Sequence, residues 1–204
     1  MNSAVFLDRD GVINPLVYNP KTHEYESPHY PEDFSVFPWT VKSLKLLKSS
    51  GYMVFIVSNQ PSAAKGKTTM ENLKAIEKLL MDFSEENGGL IDKCYYCYHH
   101  PAGVDPEYSK LCRCRKPGTL FLEEAAAQYE LNKEYCCLAG DEDTDIECGK
   151  RMGFYTIKIY NKHTLLHKRG KEAPDQFALN LYDAAREMIK RRFHAPVGGD
   201  HGLL

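Results

Sequence analysis

No stretch of the 204 residues reaches the roughly 18 consecutive apolar residues of a membrane span, the longest run being residues 52–57. The N-terminus lacks the basic region and long apolar stretch of an export signal, because Asp8 interrupts directly after Leu7. Net charge is scarce, −2 at neutral pH, which leaves no electrostatic case for nucleic acid or an anionic membrane as partner. The one basic cluster, Lys190-Arg191-Arg192, ends a predicted helix, where cations complement the dipole. Repeats and low-complexity tracts are also lacking. What remains is an ordinary globular composition, 43% hydrophobic and 26% charged. The length suits one domain with a core of its own, residues 1–193, followed by a tail, residues 194–204, expected to be disordered. Cysteine is not scarce. Seven of them in a chain without an export signal read as reduced thiols or metal ligands rather than disulfides, and the expected compartment is the cytoplasm.

The apolar runs at residues 4–7, 52–57, 136–139 and 155–159 are continuous rather than alternating, as in parallel strands buried on both faces. Helical patterns lie between them. Val41, Leu44, Leu47 and Lys48 keep helical spacing before Gly51. Thr68 and Glu71 form a candidate capping box ahead of Leu73, Ile76, Leu80 and Phe83, in a helix that ends near Asn87-Gly88-Gly89. Residues 120–131, 144–152 and 181–191 supply three more helices. Strands alternating with helices predict a doubly wound α/β fold with a parallel sheet. Residues 14–38, rich in Pro, Tyr and His, show little periodicity and read as a functional loop or a structural flap.

Polar groups follow three of the buried runs: Asp8-Arg9-Asp10-Gly11, Ser58-Asn59-Gln60, and Gly140-Asp141-Glu142-Asp143-Thr144-Asp145. In open α/β sheets the carboxyl ends of the strands form the ligand crevice, so these groups would converge. Any single aspartate among them could be turn punctuation; all of them at strand ends is harder to dismiss. Carboxylates that close repel unless a cation intervenes, and oxygen-only ligands favour a hard ion such as magnesium. A second set is soft: Cys97-Tyr98-His99 and Cys112-Arg113-Cys114 close the two ends of a loop, as a tetrahedral zinc site requires. Cys94 and His100 are alternative members, although Cys94 falls in the apolar pattern of residues 91–96. Cys136, Cys137 and Cys148 read as core residues.

Asp8-Arg9-Asp10-Gly11-Val12-Ile13-Asn14, Ser58-Asn59-Gln60, Arg115-Lys116-Pro117 and Gly140-Asp141 resemble, in order, the four motifs of the haloacid dehalogenase superfamily. Within it the chain is similar to the histidinol-phosphate and heptose-bisphosphate phosphatase branch, from about residue 4 to residue 159. The resemblance implies a Rossmann-like fold without a large cap domain. It implies Asp8 as nucleophile, Asp10 as general acid and base, and Ser58 and Lys116 on the phosphoryl oxygens. It also implies magnesium on Asp8, Asp141 and the backbone carbonyl of Asp10, and zinc on Cys97, His99, Cys112 and Cys114. Asp145 would be a supporting carboxylate. Asn59 and Arg115 would bind substrate, Arg115 as a clamp on a second anionic group.

The long loop between His99 and Cys112, and Lys65-Gly66-Lys67 in an ungapped segment, resemble the heptose enzymes more than the histidinol ones. The expectation is therefore a monomeric phosphatase that acts on heptose 1,7-bisphosphate, a small phosphorylated sugar. Histidinol phosphate or another polyol phosphate is the near alternative, and a non-catalytic zinc-stabilised binding protein the distant one. Departures from the branch fall on the crevice rim: Pro61-Ser62 replaces a small residue and glycine, Trp39 replaces a glycine, Glu142 brings an extra negative charge, and Pro117-Gly118-Thr119-Leu120 lacks the usual Pro-Gly ending of its turn.

Overall fold

A computed structural model describes residues 2–164 and 172–194. In chain order the elements are β1 (Ser3–Leu7), β2 (Val17–Asn19), β3 (Glu24–Glu26), α1 (Thr40–Ser49), β4 (Tyr52–Asn59), α2 (Met70–Glu86), β5 (Lys93–Cys97), α3 (Leu120–Gln128), β6 (Cys137–Gly140), α4 (Asp143–Met152), β7 (Tyr155–Ile159), β8 (Gln176–Ala178) and α5 (Leu181–His194). Six strands form one sheet in the order β5-β4-β1-β6-β7-β8, and every neighbouring pair is parallel. This is the doubly wound sheet that the continuous apolar runs predict.

β1 is central, and all five of its residues are buried. Alternate residues of a strand face opposite sides, and β1 divides the core accordingly. Val5 and Leu7 join Leu44 and Leu47 of α1 and Leu181, Ala184 and Met188 of α5 on one face. Ala4 and Phe6 join Leu122 of α3 and Cys148 and Met152 of α4 on the other. Phe6 lies between Phe55 and Phe154, with ring centroids 5.2 and 5.3 Å away. Cys136, Cys137 and Cys148 are buried core residues.

Three details depart from expectation. The cap of α2 is Thr69, whose hydroxyl accepts from the Asn72 amide at 3.2 Å. Thr68 instead donates to the carbonyl of His29 at 2.5 Å, so a tertiary contact claims it. Helix α3 stops at Gln128 rather than residue 131, because Glu130 takes a positive φ of 49° and Leu131 bridges to Asn2. Residues 14–38 are not wholly irregular: β2 and β3 pair as a short antiparallel hairpin, Val17 opposite Glu26. Of the expected disordered tail, residues 194–204, His194 closes α5 and the rest lies outside the described residues. Among the described residues no helix is long and apolar enough to cross a membrane.

Because Phe6 packs between two further rings, Phe55 of β4 and Phe154 just before β7, Phe6→Ala should cost about 3–5 kcal/mol of stability. Urea unfolding should show a lower midpoint at unchanged slope; an unchanged midpoint would contradict this packing.

Candidate active site

All six strands of the main sheet are parallel, so the carboxyl ends of β1, β4 and β6 and the residues that follow them lie at one edge of the sheet. Leu7 sits opposite both Ile56 and Ala139, which sets Asp8 beside Ser58 and Asp141. The Asp8 Oδ1 atom accepts from the Ser58 hydroxyl at 2.6 Å and from the Arg9 amide at 2.7 Å. The ammonium of Lys116 lies 3.0 Å from the same oxygen, 2.5 Å from Asp145 Oδ1, and donates to the Val57 carbonyl at 2.6 Å. Lys116 is only 3% exposed. Asn59 holds it there: its side-chain amide accepts from the Lys116 amide at 2.9 Å and donates to the Lys116 carbonyl at 3.1 Å. Asn59 also lines the cavity, but both ends of its amide are engaged with the Lys116 backbone.

Asp8, Asp141 and Asp145 each offer a carboxylate oxygen within 4.8 Å of the others. Burial, and then the charges of Asp8 and Asp145, push the Asp141 carboxyl well above its ordinary value. Asp145 is pushed up to about 7 by burial, against the pull of Lys116. Like charges about 4 Å apart repel by about 4 kcal/mol at an effective dielectric constant near 20. One lysine does not balance three carboxylates, so the donor set fits a hard divalent cation bound by oxygen. Asp145 also accepts from the Glu142 amide at 3.0 Å and pairs with Lys116, which makes it a brace for the cluster. Two glycines permit the crowding. A Cβ on Gly11, whose φ is +80°, would fall 2.2 Å from Asp141 Oδ2, and one on Gly140 would fall 2.2 Å from Asp145.

Asp10 is held apart in a cage. Its carboxylate accepts from Arg9 Nη2 at 2.9 Å, Asn14 Nδ2 at 2.9 Å and Gln60 Nε2 at 2.6 Å. Burial works to raise this carboxyl; the Arg9 charge and the three donors outweigh it and hold it below its ordinary value. Arg9 is fully buried and lies over the Tyr96 ring, 5.6 Å from its centroid. Gln60 joins the two aspartates, since its Nε2 is also 3.1 Å from the Ser58 hydroxyl. Its backbone amide donates to the Cys97 carbonyl at 2.7 Å. Sequence reasoning quoted Asn14 and Gln60 within motifs without giving them work, and passed over Asn161 and Thr164. Asn161 Nδ2 donates to Asp141 at 2.7 Å, and the Thr164 hydroxyl to its backbone carbonyl at 3.3 Å. Both follow β7, a fourth buried strand end that the same logic could have searched.

These groups open into a cavity of about 390 Å³, whose walls include Lys65, Lys67 and Arg115 on the basic side and Glu24, Tyr25 and Glu26 of the hairpin. Burial, with the charges of Lys67 and Arg115 beside it, draws the Lys65 ammonium below its ordinary value. An anion in the cavity would relieve that crowding.

Beside the cavity, Cys97 ends β5, and Cys112 and Cys114 precede Arg115. The three sulfurs lie 3.2 to 3.6 Å from one another, and His99 Nδ1 is 3.4 Å from Cys114 and 3.9 Å from Cys97. Zinc–sulfur bonds of about 2.3 Å give tetrahedral edges of nearly 3.8 Å, so the cluster suits such an ion with a slight expansion. Burial pushes the Cys97 thiol up, so three adjacent thiolates would need a cation to offset them. The alternative ligands are elsewhere occupied: Cys94 packs its sulfur 3.5 Å from that of Met81, and His100 Nδ1 accepts from the Ala102 amide at 3.1 Å.

Residues 113–184 match the family model described as "HAD-hyrolase-like". The chain is 30% identical over 198 residues to the D-glycero-D-manno-heptose-1,7-bisphosphate 7-phosphatase of Chlorobaculum tepidum, covering 93% of this chain and 96% of the relative. It is 34% identical over 150 residues to the D-glycero-alpha-D-manno-heptose-1,7-bisphosphate 7-phosphatase of Photorhabdus laumondii, covering 74% and 78%. Its fold is like that of the D,D-heptose 1,7-bisphosphate phosphatase from B. bronchiseptica, solved with magnesium and phosphate, at a TM-score of 0.74 and 21% identity over 94% of this chain and 99% of that one. The chain belongs to the haloacid dehalogenase-like hydrolases. Within them it stands by sequence among the heptose-bisphosphate phosphatases, and it is an enzyme of the phosphatase type.

The carboxylate cluster gives a pH-dependent expectation. Asp141 and Asp145 keep their protons to higher pH when folded than when unfolded, so the stability they contribute falls as pH rises above the ordinary carboxylate range, for Asp145 towards about 7. A divalent cation competes with those protons. The rise in melting temperature on adding magnesium should therefore be larger near pH 8 than near pH 5.5; the reverse order, by scanning calorimetry, would contradict the cluster.

Proposed function

We propose that the chain removes the C7 phosphate of D-glycero-D-manno-heptose 1,7-bisphosphate, with magnesium, through a phospho-aspartate on Asp8. The observation that carries this reading is the convergence of Asp8, Ser58 and Asp141 at adjacent strand ends on the ammonium of Lys116, within one cavity that has a basic wall of Lys65, Lys67 and Arg115. The long loop between His99 and Cys112 favours the heptose over histidinol phosphate. The proposed setting is the cytoplasm, and the proposed state a monomer.

In the first step an Asp8 oxygen attacks phosphorus, and the bond to the sugar oxygen breaks. Asp10 gives its proton to that leaving oxygen. In the second step Asp10 takes a proton from a water, which attacks the phospho-aspartate and frees the Asp8 carboxylate. The cage around Asp10 favours the anion, the form that the second step uses. Arrival of a phosphate dianion beside it raises its proton affinity for the first. Ser58 and Lys116 would donate to the non-bridging oxygens, with Asn59 holding Lys116 on line. Magnesium would be held by Asp8, Asp141 and the backbone carbonyl of Asp10, with Asn161 and Asp145 steadying the carboxylates. When bound it neutralises charge on the phosphoryl group. Arg115 and Lys65 fit the second phosphate. Zinc would be held by Cys97, His99, Cys112 and Cys114, and would fix the turn that presents Arg115 and Lys116.

A panel of phosphate esters tests the reading. The heptose bisphosphate should be turned over far more efficiently than histidinol phosphate, and equal efficiency would sink the substrate assignment. Asp8→Asn should abolish turnover. Asp10→Asn should lose about 10²–10⁴-fold on alkyl phosphates and much less on an aryl phosphate, whose leaving group needs little protonation; equal losses would rule out Asp10 as leaving-group acid.

Elemental analysis of protein purified without added metal should find one zinc per chain. Cys112→Ser should lose it together with thermal stability, because structural zinc contributes directly to folding. Undiminished zinc in that variant would refute the ligand set.

A further inference from the structure

The hairpin of β2 and β3 is three residue pairs long, too short to hold its place in water unaided. Two ties fix it. Glu26 accepts from Lys67 Nζ at 2.7 Å, in the segment that follows β4, and its other oxygen lies 3.3 Å from His29 Nε2. The next residue back, Tyr25, stacks on His163 with ring centroids 3.5 Å apart and planes 21° apart. His163 belongs to the segment after β7 that also carries Asn161, the donor to Asp141. Successive residues of a strand point to opposite sides, so Tyr25 and Glu26 grip two different walls of the cleft. The hairpin therefore runs as a strap between the loop after β4 and the loop after β7, with Tyr25, 42% exposed, among the residues that line the cavity.

We infer that Tyr25 is a specificity-determining residue, which limits how large a group the phosphate ester carries. The ring has few rotamers of its own, and stacking on His163 restrains it further. A side chain so braced is a wall rather than a flexible fringe. The cavity it bounds, about 390 Å³, stands near the lower end of the roughly 300–1,000 Å³ of small-molecule sites. Esters with a compact leaving group fit between Tyr25 and the basic wall of Lys65 and Arg115. Those bearing a nucleobase meet the ring. The inference rests on the phosphatase reading but not on heptose bisphosphate as the substrate.

The test compares kcat/KM for adenosine 5′-monophosphate with that for p-nitrophenyl phosphate, in wild type, Tyr25→Ala, Tyr25→Phe and His163→Ala. Saturating magnesium keeps any change at Asp141 out of the ratio. The nucleotide-to-aryl ratio should rise about tenfold or more in Tyr25→Ala, the scale on which a pocket wall discriminates by size. It should rise less in His163→Ala, where the ring stays but loses its brace, and keep the wild-type value in Tyr25→Phe. A ratio unmoved in both alanine variants overturns the inference, as does Tyr25→Phe shifting it as far as Tyr25→Ala. If Tyr25→Ala does not fold, His163→Ala decides alone by the same criterion. Wild-type protein inert towards both esters would bring down the phosphatase reading, and this assignment with it.

Discussion

The site is organised around one buried ammonium. Lys116 is almost wholly removed from water and stands between Asp8 and Asp145, with the Val57 carbonyl as its third partner. Breaking a buried pair by removing one member costs about 3–5 kcal/mol, because an uncompensated charge stays behind. Here two carboxylates would be left, next to a third. The strand order brings β1, β4 and β6 side by side, and Asn59 pins the Lys116 backbone from the end of β4. The lysine thus ties a late loop of the chain to its first strand.

Charge in this cleft is deliberately uneven. Asp10 is given three strong donors and rests below its ordinary proton affinity, whereas Asp141 and Asp145 are crowded and rest above theirs. Carboxylates driven apart in this way differ in what they favour: Asp10 its charged form, and the other two a proton or a cation. Arg9 enforces the division. It carries the guanidinium of the Asp10 cage and, being fully buried, cannot be traded for solvent.

The sheet and the reacting edge were legible in the sequence for a physical reason. Strands buried on both faces must be apolar throughout, so Asp8, Ser58 and Asp141 announce themselves as the first polar residues after such runs. The hairpin carried no such signal: Val17-Tyr18-Asn19 and Glu24-Tyr25-Glu26 are short, polar, and held by partners as distant as Lys67 and His163. Thr68 read as the cap of α2, and only the fold showed that the His29 carbonyl had claimed it and left Thr69 to cap the helix. Asn161 and Thr164 sit after a buried strand, yet no motif marked them. The local rules reached whatever depended on burial, and missed what depended on contacts between loops.

The cysteine cluster draws together Cys97 and His99 at one end of a loop and Cys112 and Cys114 at the other. From the near end, the Cys97 carbonyl holds the Gln60 amide; from the far end the chain passes directly to Lys116. The span between the two ends, residues 100–111, is thereby anchored apart from Asp8, and meets the Lys65 segment of the cavity wall at Ala64, whose carbonyl accepts from the Val104 and Asp105 amides. That span can grow, shrink or change its chemistry while its anchorage stays where it is. A lineage of such enzymes is left free to edit what it recognises without retuning what it does.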